Sequence, residues 1–585
     1  MAFGASIDPR GASFRLWAPA AKKVALRLPE ARQDVAMTRY DDGWYAVRVP
    51  NLMAGTVYQY VIDDGRVVPD PASRFQPSDV DGPSELIDPE AFDWPDGAWR
   101  GRAWHEAVIY ELHVGAFTRE GTLVAAAADL ARLAGLGVTA VELMPLGDFA
   151  GNRNWGYDGV LPFAPDSRYG TPTDLKRFIA AAHALGLMVF IDVVYNHFGP
   201  QGNYLSLYAP AFFTEDETGW GPAINFAARP VREFFIANAL YWVLEYNIDG
   251  LRLDAVHAIR DASRPDILEE LAARVHLAVA PDRYVHLVLE NDRNQAHYLH
   301  RDAGYDAQWN DDFHHAAHVI LTGETDGYYV DFAADPIRKL GRALTEGFAY
   351  QGERSTYRDT SRGEPSGDLS PFAVVNFLQN HDQIGNRALG ERLTVLTEPA
   401  ALAAATAILL LAPAPPLLFM GEEWDATTPF LFFCDFTGTL GRAVREGRRR
   451  EFARVPALAA LDATAAVPDP LALETFTRSQ LGERPQATTA IRRLLEIRQR
   501  EIVPRLAGIS GGGRGNARYA VANTCLEVSW RLGDASRLSL VANLGRAAAA
   551  RPPPAFAGRV LWGTETHGPT LPPWTVVWTL AEAAQ

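Results

Sequence analysis

The chain has 585 residues, too many for one hydrophobic core, so two to four domains are expected. A net charge of −16 and a pI near 5.4 argue against nucleic acid as a partner. Two cysteines, Cys434 and Cys525, leave no disulfide framework and no cysteine-based metal cluster. Met1 to Ala5 have neither the basic nor the apolar region of a signal peptide. The longest apolar run, around Ala401 to Phe419, holds Thr406 and three prolines, so it reads as a buried helix and strand and not as a membrane span. A soluble, cytoplasmic protein without a membrane partner is expected.

Residues 1–95 alternate as short strands. Phe14 and Leu16 flank Arg15, Val24, Leu26 and Leu28 recur at every second position, and Trp44–Val49 and Val57–Ile62 follow. Asp41-Asp42-Gly43 and Asp63-Asp64-Gly65 supply turns. A β-sandwich is predicted, followed by a Pro/Asp-rich connector at Asp70–Pro77.

Over 96–505 the texture changes to short apolar strands alternating with helices. Eight strands are predicted: Ala107–Leu112, Val138–Met144, Leu187–Val194, Asp249–Val256, Tyr284–Glu290, Tyr305–Trp309, Phe372–Leu378 and Pro416–Met420. Thr173 is read as the cap of a helix bearing Leu175, Phe178, Ile179 and Ala182, with Gly186 as its stop. Phe235, Ala239, Trp242, Val243 and Tyr246 form a second helical stripe, and a helix over Ala490–Arg500 closes the set. The fold class is therefore α/β, a (β/α)8 TIM barrel with an N-terminal β-sandwich. A doubly wound sheet is the alternative, weakened because no glycine-rich phosphate loop follows the first strand. The run Gly511–Gly513 marks a boundary, and strands over Leu526–Trp530, Leu538–Ala542, Val560–Trp562 and Val576–Leu580 predict a C-terminal β domain over 506–585.

Polar clusters fall at the C-terminal ends of four predicted strands, where barrel active sites form. They are Asp192-Val193-Val194-Tyr195-Asn196-His197; Arg252, Asp254 and His257; Glu290-Asn291-Asp292; and Gln379-Asn380-His381-Asp382-Gln383. Arg252 and Asp254 share one face of an otherwise apolar strand, which costs desolvation unless the charges are paired or used. An Asp beside an Arg is expected to stay ionised near neutral pH, as a carboxylate nucleophile requires. Three converging acids suit glycosidic bond hydrolysis: one attacks the anomeric carbon, one protonates the leaving oxygen, and one binds sugar hydroxyls. A metal reading of Asp192, His197, Asp254 and Asp382 ranks lower, because no His-x-His cage accompanies them.

The segments Asp192–His197, Gly250–His257, Glu290 and Asn380–Asp382 resemble, in order and spacing, the four signature regions of the α-amylase family of glycoside hydrolases and transglycosidases. The resemblance implies a retaining mechanism in which Asp254 is the nucleophile, Glu290 the general acid/base and Asp382 the stabiliser. It also implies substrate contacts at Arg252, His197, His381, His257 and Asn291, and in Asn154–Asp158, where Trp155, Tyr157 and Asp158 lie and the tyrosine stacks on the sugar. The leading sandwich looks like the sugar-binding-like module of branching, debranching and trehalose-forming members. Glu290–Asn294, Phe377–Asn386 and Arg442–Phe452 resemble the members that cut an α-1,4 bond beside a terminal trehalose. The implied ligands are maltooligosyltrehalose and related α-glucans, supplied by a maltooligosyltrehalose-forming synthase. A glucan branching transferase is the runner-up, though such enzymes usually carry Ser-His-Asp-Glu-Val where this chain has Asn380-His381-Asp382-Gln383-Ile384. A non-catalytic binding module stands third. Asn196 matches a calcium-binding position of many amylases, but Phe198–Arg229 offers no ligand set, so no metal and no cofactor is expected.

Overall fold

In the computed structural model, residues 3–95, 97–300, 303–452, 467–482, 484–509, 516–550, 558–564 and 569–583 are described. The boundary expected at Gly511–Gly513 lies outside them. The N-terminal region forms two antiparallel sheets. One is built from Ser6–Asp8, Gly11–Trp17, Trp44–Pro50 and Thr38–Arg39, the other from Gln33–Ala36, Val24–Leu28, Val57–Ile62 and Arg66–Val68. Alternation sends Val24, Leu26 and Leu28 inward, and Phe14 meets Tyr58 at 4.8 Å between ring centres. The Asp70–Pro77 segment is a buried clasp and not a loose connector. Asp70 Oδ2 accepts the Tyr58 and Tyr60 hydroxyls at 2.8 and 3.3 Å, and Arg74 Nη1 donates to the Ala5 carbonyl at 2.8 Å.

Eight parallel strands close a barrel: β1 (Ile109–Leu112), β2 (Ala140–Leu143), β3 (Met188–Val193), β4 (Gly250–Leu253), β5 (His286–Leu289), β6 (Ala307–Trp309), β7 (Val374–Phe377) and β8 (Pro416–Phe419). Each lies inside a stretch expected from sequence, and β1 pairs with β8 to complete the ring. Inward side chains of the lower barrel, Ile109, Ala140, Phe190, Val288, Ala307, Val375 and Leu417, form an apolar plug. The plug leaves only the upper, C-terminal layer for polar groups.

The first expected helix is Pro172–Ala184, and its cap is Thr171, not Thr173. Thr171 and Asp174 form a reciprocal capping box with Pro172 in the first turn, a stronger start signal than Thr173 two residues later. Helix Arg229–Glu245 buries Phe235, Ala239, Trp242 and Val243 as the stripe required. The long apolar run resolves into helix Pro399–Leu411 and β8. Helix Thr489–Ile497 packs on Pro399–Leu411, and beyond it Arg498 donates to the carbonyls of Leu410, Ala412, Pro413 and Ala414. The C-terminal domain is a five-stranded antiparallel sheet whose first strand, Ala517–Ala522, sequence reading missed. That strand is half-exposed throughout and carries little apolar contrast.

Candidate active site

The upper barrel layer is built by the period-two alternation that places the plug below it. Glu111 on β1, Glu142 on β2, Asp192 on β3, Arg252 on β4 and Trp309 on β6 are all buried. Arg252, with no exposed surface, is the hub. Its Nη1 donates to Asp192 Oδ2 at 2.5 Å and Asp254 Oδ1 at 2.9 Å, its Nη2 lies 2.9 Å from Glu290 Oε2, and its guanidinium sits 4.1 Å above the Trp309 ring. One planar cation therefore spans both carboxyls expected to do chemistry.

Strand β4 stops at Leu253, short of the alternation expected through Val256. Ala255 adopts a left-handed backbone with φ +40°. Such a conformation is strained for a residue with a Cβ, and here it presents the Ala255 N–H to Glu290 Oε2 at 2.7 Å. Asn196 Nδ2 donates to both the carbonyl and Oδ2 of Asp254 at 2.9 Å and so orients this carboxylate, while its Oδ1, the atom a calcium ion would take, faces His197 Nδ1. Among the described residues no cluster of three or more His, Cys, Asp or Glu could hold a metal ion.

Burial pushes the carboxyls of Asp254 and Glu290 up from their usual range, while Arg252 pulls both down. Glu290 additionally feels the Asp254 charge, which favours its protonated form. Burial works against a charged His381, but Glu111 and Asp382 outweigh it and raise the imidazole to about 9. His381 Nδ1 donates to Glu111 Oε1 at 2.5 Å, and its Nε2 lies 3.6 Å from Asp382 Oδ1. Asp382 opens the short helix His381–Gly385, with its side chain 35% exposed to the cleft.

Tyr157 stacks on His381 at 5.0 Å and donates its hydroxyl to Asp192 Oδ2 at 2.6 Å, so it belongs to the same cluster. His197 is turned to the Tyr157 carbonyl (3.0 Å) and stacks against Trp220. Asp158 is held by Asn154 Nδ2 at 2.7 Å, and burial raises its carboxyl. Trp155 is packed behind the site, stacked on Phe430, with its indole N–H donated to the Leu431 carbonyl. Asn291 is buried and bonded within its own loop to Gln295 and Arg293. His257 stands at the rim, 3.9 Å from Asp292.

Several residues went unread. Glu111 and Trp309 lie inside apolar strands and carry no local motif. Trp220, 51% exposed at the cleft mouth, sits on the hairpin Phe213–Thr218/Gly221–Ile224. Asp311, just past β6, has its carboxyl raised to about 8 by burial and by the Glu290 charge. The adjacent Asn310-Asp311-Asp312 was the available signal.

Family models match residues 2–85 to carbohydrate-binding module 48 (isoamylase N-terminal domain), 72–212 to the alpha amylase catalytic domain, and 513–578 to a domain of unknown function. The malto-oligosyltrehalose trehalohydrolase of Saccharolobus solfataricus is 44% identical over 460 residues, covering 77% of this chain and 80% of its own. The chain belongs to the malto-oligosyltrehalose trehalohydrolase family. Outside that family the likeness thins: the 1,4-alpha-glucan branching enzyme of Burkholderia thailandensis is 33% identical over 42% of this chain and 33% of its own. A crystal structure from Salmonella typhimurium described as an alpha amylase superposes on this trehalohydrolase-family chain with TM-score 0.93 and 45% identity, over 99% of both.

Proposed function

We propose that this chain hydrolyses the α-1,4 bond beside the terminal trehalose of a maltooligosyltrehalose, releasing trehalose and a maltooligosaccharide by double displacement. The observation that carries the mechanism is the Arg252 bridge. Two carboxyls touching one guanidinium fit the about 5–5.5 Å spacing of retaining enzymes better than the wider gap of inverting ones.

In this reading Asp254 attacks the anomeric carbon while Glu290 gives its proton to the departing trehalose oxygen. A covalent glycosyl ester on Asp254 forms, and Glu290, now a carboxylate, takes a proton from the water that cleaves it. The raised Glu290 carboxyl supports the donor role, since a proton must be present at working pH. Asn196 and Arg252 hold Asp254 in line. Asp382 binds hydroxyls of the reacting ring, His381 supplies a charged donor beside it, and Tyr157 offers a flat face. Trp220, stacked on His197, extends an aromatic wall along the entrance for further sugar rings. His257 is assigned a rim contact, while Trp155, Asp158 and Asn291 act by holding loops in place.

The α,α-1,1 linkage has to be made upstream by a synthase that isomerises the reducing end of a glucan, and we place both enzymes in the cytoplasm. No helix among the described residues is long and apolar enough to cross a membrane. Incubation with maltooligosyltrehalose and with a maltooligosaccharide of equal length tests the specificity. Free trehalose from the first, with much slower cleavage of the second, is expected. Equal rates would indicate a general amylase, and new α-1,6 bonds a branching enzyme.

A further inference from the structure

Two carboxyls outside the catalytic set are buried side by side at the base of the loop that carries Trp155, Tyr157 and Asp158. Asp148 ends the short strand Gly147–Asp148, which pairs with Leu161–Pro165 across that loop, and Asp166 follows directly. Each residue is about 1% exposed, and each carboxyl acts directly on the ionisation of the other. Two adjoining carboxylates in such surroundings cannot both be ionised, so the contact needs a proton.

The surroundings say which residue carries it. Asp166 accepts the Arg168 N–H on Oδ1 at 2.8 Å and the Phe149 N–H on Oδ2 at 3.3 Å, as a carboxylate does. Asp148 Oδ2 has no partner among the described residues, as befits the oxygen of a neutral acid whose hydroxyl is turned to Asp166. We propose that Asp148 is a protonated positioning residue that donates to Asp166 and so clamps the hairpin holding Tyr157 and Asp158 at the substrate cleft. The inference rests on the assignment of that loop to substrate binding.

The other groups facing the pair are few. Asp79 accepts the Gly151 N–H and adds negative charge, and Arg168 adds a positive one. Tyr169 is a buried phenol whose proton burial holds on. Its hydroxyl meets His113, an imidazole that burial lowers to about 4 and so leaves neutral. Burial raises both carboxyls of the pair, Asp148 the further. A raised acid favours the folded loop while it stays protonated and ceases to do so as pH climbs through its folded value. The single-proton clamp is therefore centred near neutral pH: on the acid side Asp166, raised to about 7, takes up a second proton, and on the alkaline side the clamp is lost as Asp148, Asp166 and Asp79 repel one another.

The test compares pH profiles of kcat and KM for the wild type, Asp148→Asn and Asp166→Asn on maltooligosyltrehalose. In the wild type KM rises on the alkaline side, toward the limit of about tenfold per pH unit for one linked proton. Asp148→Asn keeps a donor toward Asp166, so its KM matches the wild type at neutral pH and stays flat above it. Asp166→Asn turns a donor toward backbone N–H groups and raises KM at every pH. An alkaline KM rise in Asp148→Asn equal to that of the wild type overturns the proposal, as does equivalence of the two variants at neutral pH. Hydrogen exchange of residues 149–158 in the wild type, corrected for intrinsic rate, gives a readout independent of turnover and of variant folding. Protection falls with rising pH while that of the barrel strands holds, and flat protection contradicts the clamp whatever the substrate proves to be.

Discussion

Replacing Arg252 with Lys keeps one positive charge in the barrel but removes the fork that spans Asp254 and Glu290. A lysine ammonium is a point charge that can serve one carboxylate well and not three. The guanidinium contacts Asp192, Asp254 and Glu290 at 2.5–2.9 Å in a site with no solvent access to it, so screening is slight. Loss of two charge-assisted contacts at about 1.5–3 kcal/mol each amounts to roughly 3–6 kcal/mol. If these contacts act mainly in the transition state, kcat/KM falls by about two to four orders of magnitude. The pH profile gives a second, sharper reading. Arg252 lowers both Asp254 and Glu290 against the rise caused by burial. Weakening that pull raises both, so the acid limb, set by deprotonation of Asp254, and the alkaline limb, set by protonation of Glu290, move together to higher pH. Steady-state rates across a pH series, with circular dichroism confirming the fold, measure both effects. A rate within tenfold of wild type, or a profile that stays in place or moves to lower pH, refutes the Arg252 hub.

Other perturbations separate the parts. Asp254→Asn and Glu290→Gln should each lower kcat by roughly three orders of magnitude or more while leaving the melting temperature near wild type, and a loss under tenfold in either would remove it from the chemistry. Tyr157→Phe deletes the hydroxyl on Asp192 but keeps the ring on His381, so kcat/KM should drop about tenfold, roughly 1–2 kcal/mol; no change would show the hydroxyl to be idle. Thr171→Ala removes the capping box, whose bonds stay within the first turn of its helix, and should cost about 1 kcal/mol of stability by denaturant titration with kcat unchanged. Exhaustive chelation should leave both rate and melting temperature unaltered, since Asn196 Oδ1 faces His197 and Phe198–Arg229 offers no ligand set, and a loss restored by calcium would count against that reading.

The barrel was legible because eight short apolar runs alternate with helical stretches and four of them end in a polar cluster, a signal that needs no partner to be read. Asp192, Arg252, Asp254, Glu290, His381 and Asp382 stood out for the same reason. What escaped was set by contacts distant in sequence. Glu111 looks like one more strand residue until the fold brings it to His381, 270 positions away. Trp155 was grouped with Tyr157 because they are neighbours in the chain; Tyr157 stacks flat on His381, whereas Trp155 meets the same imidazole edge-on and lies flat against Phe430. The ionisation of Asp254 could not be judged from Arg252 alone, because burial contributes the opposing and larger effect. Thr171 was passed over for Thr173 because an apolar stripe fixes a helix's face better than its first residue.

The most direct test of the central claim follows the first turnovers on maltooligosyltrehalose by proton NMR, before the released reducing end mutarotates. Two steps through Asp254 and Glu290 predict free trehalose and an equal amount of maltooligosaccharide in the α-anomeric form. A β-anomer would show a single displacement and break the assignment of Asp254, while an α-anomer without trehalose would leave the chemistry standing and overturn the substrate.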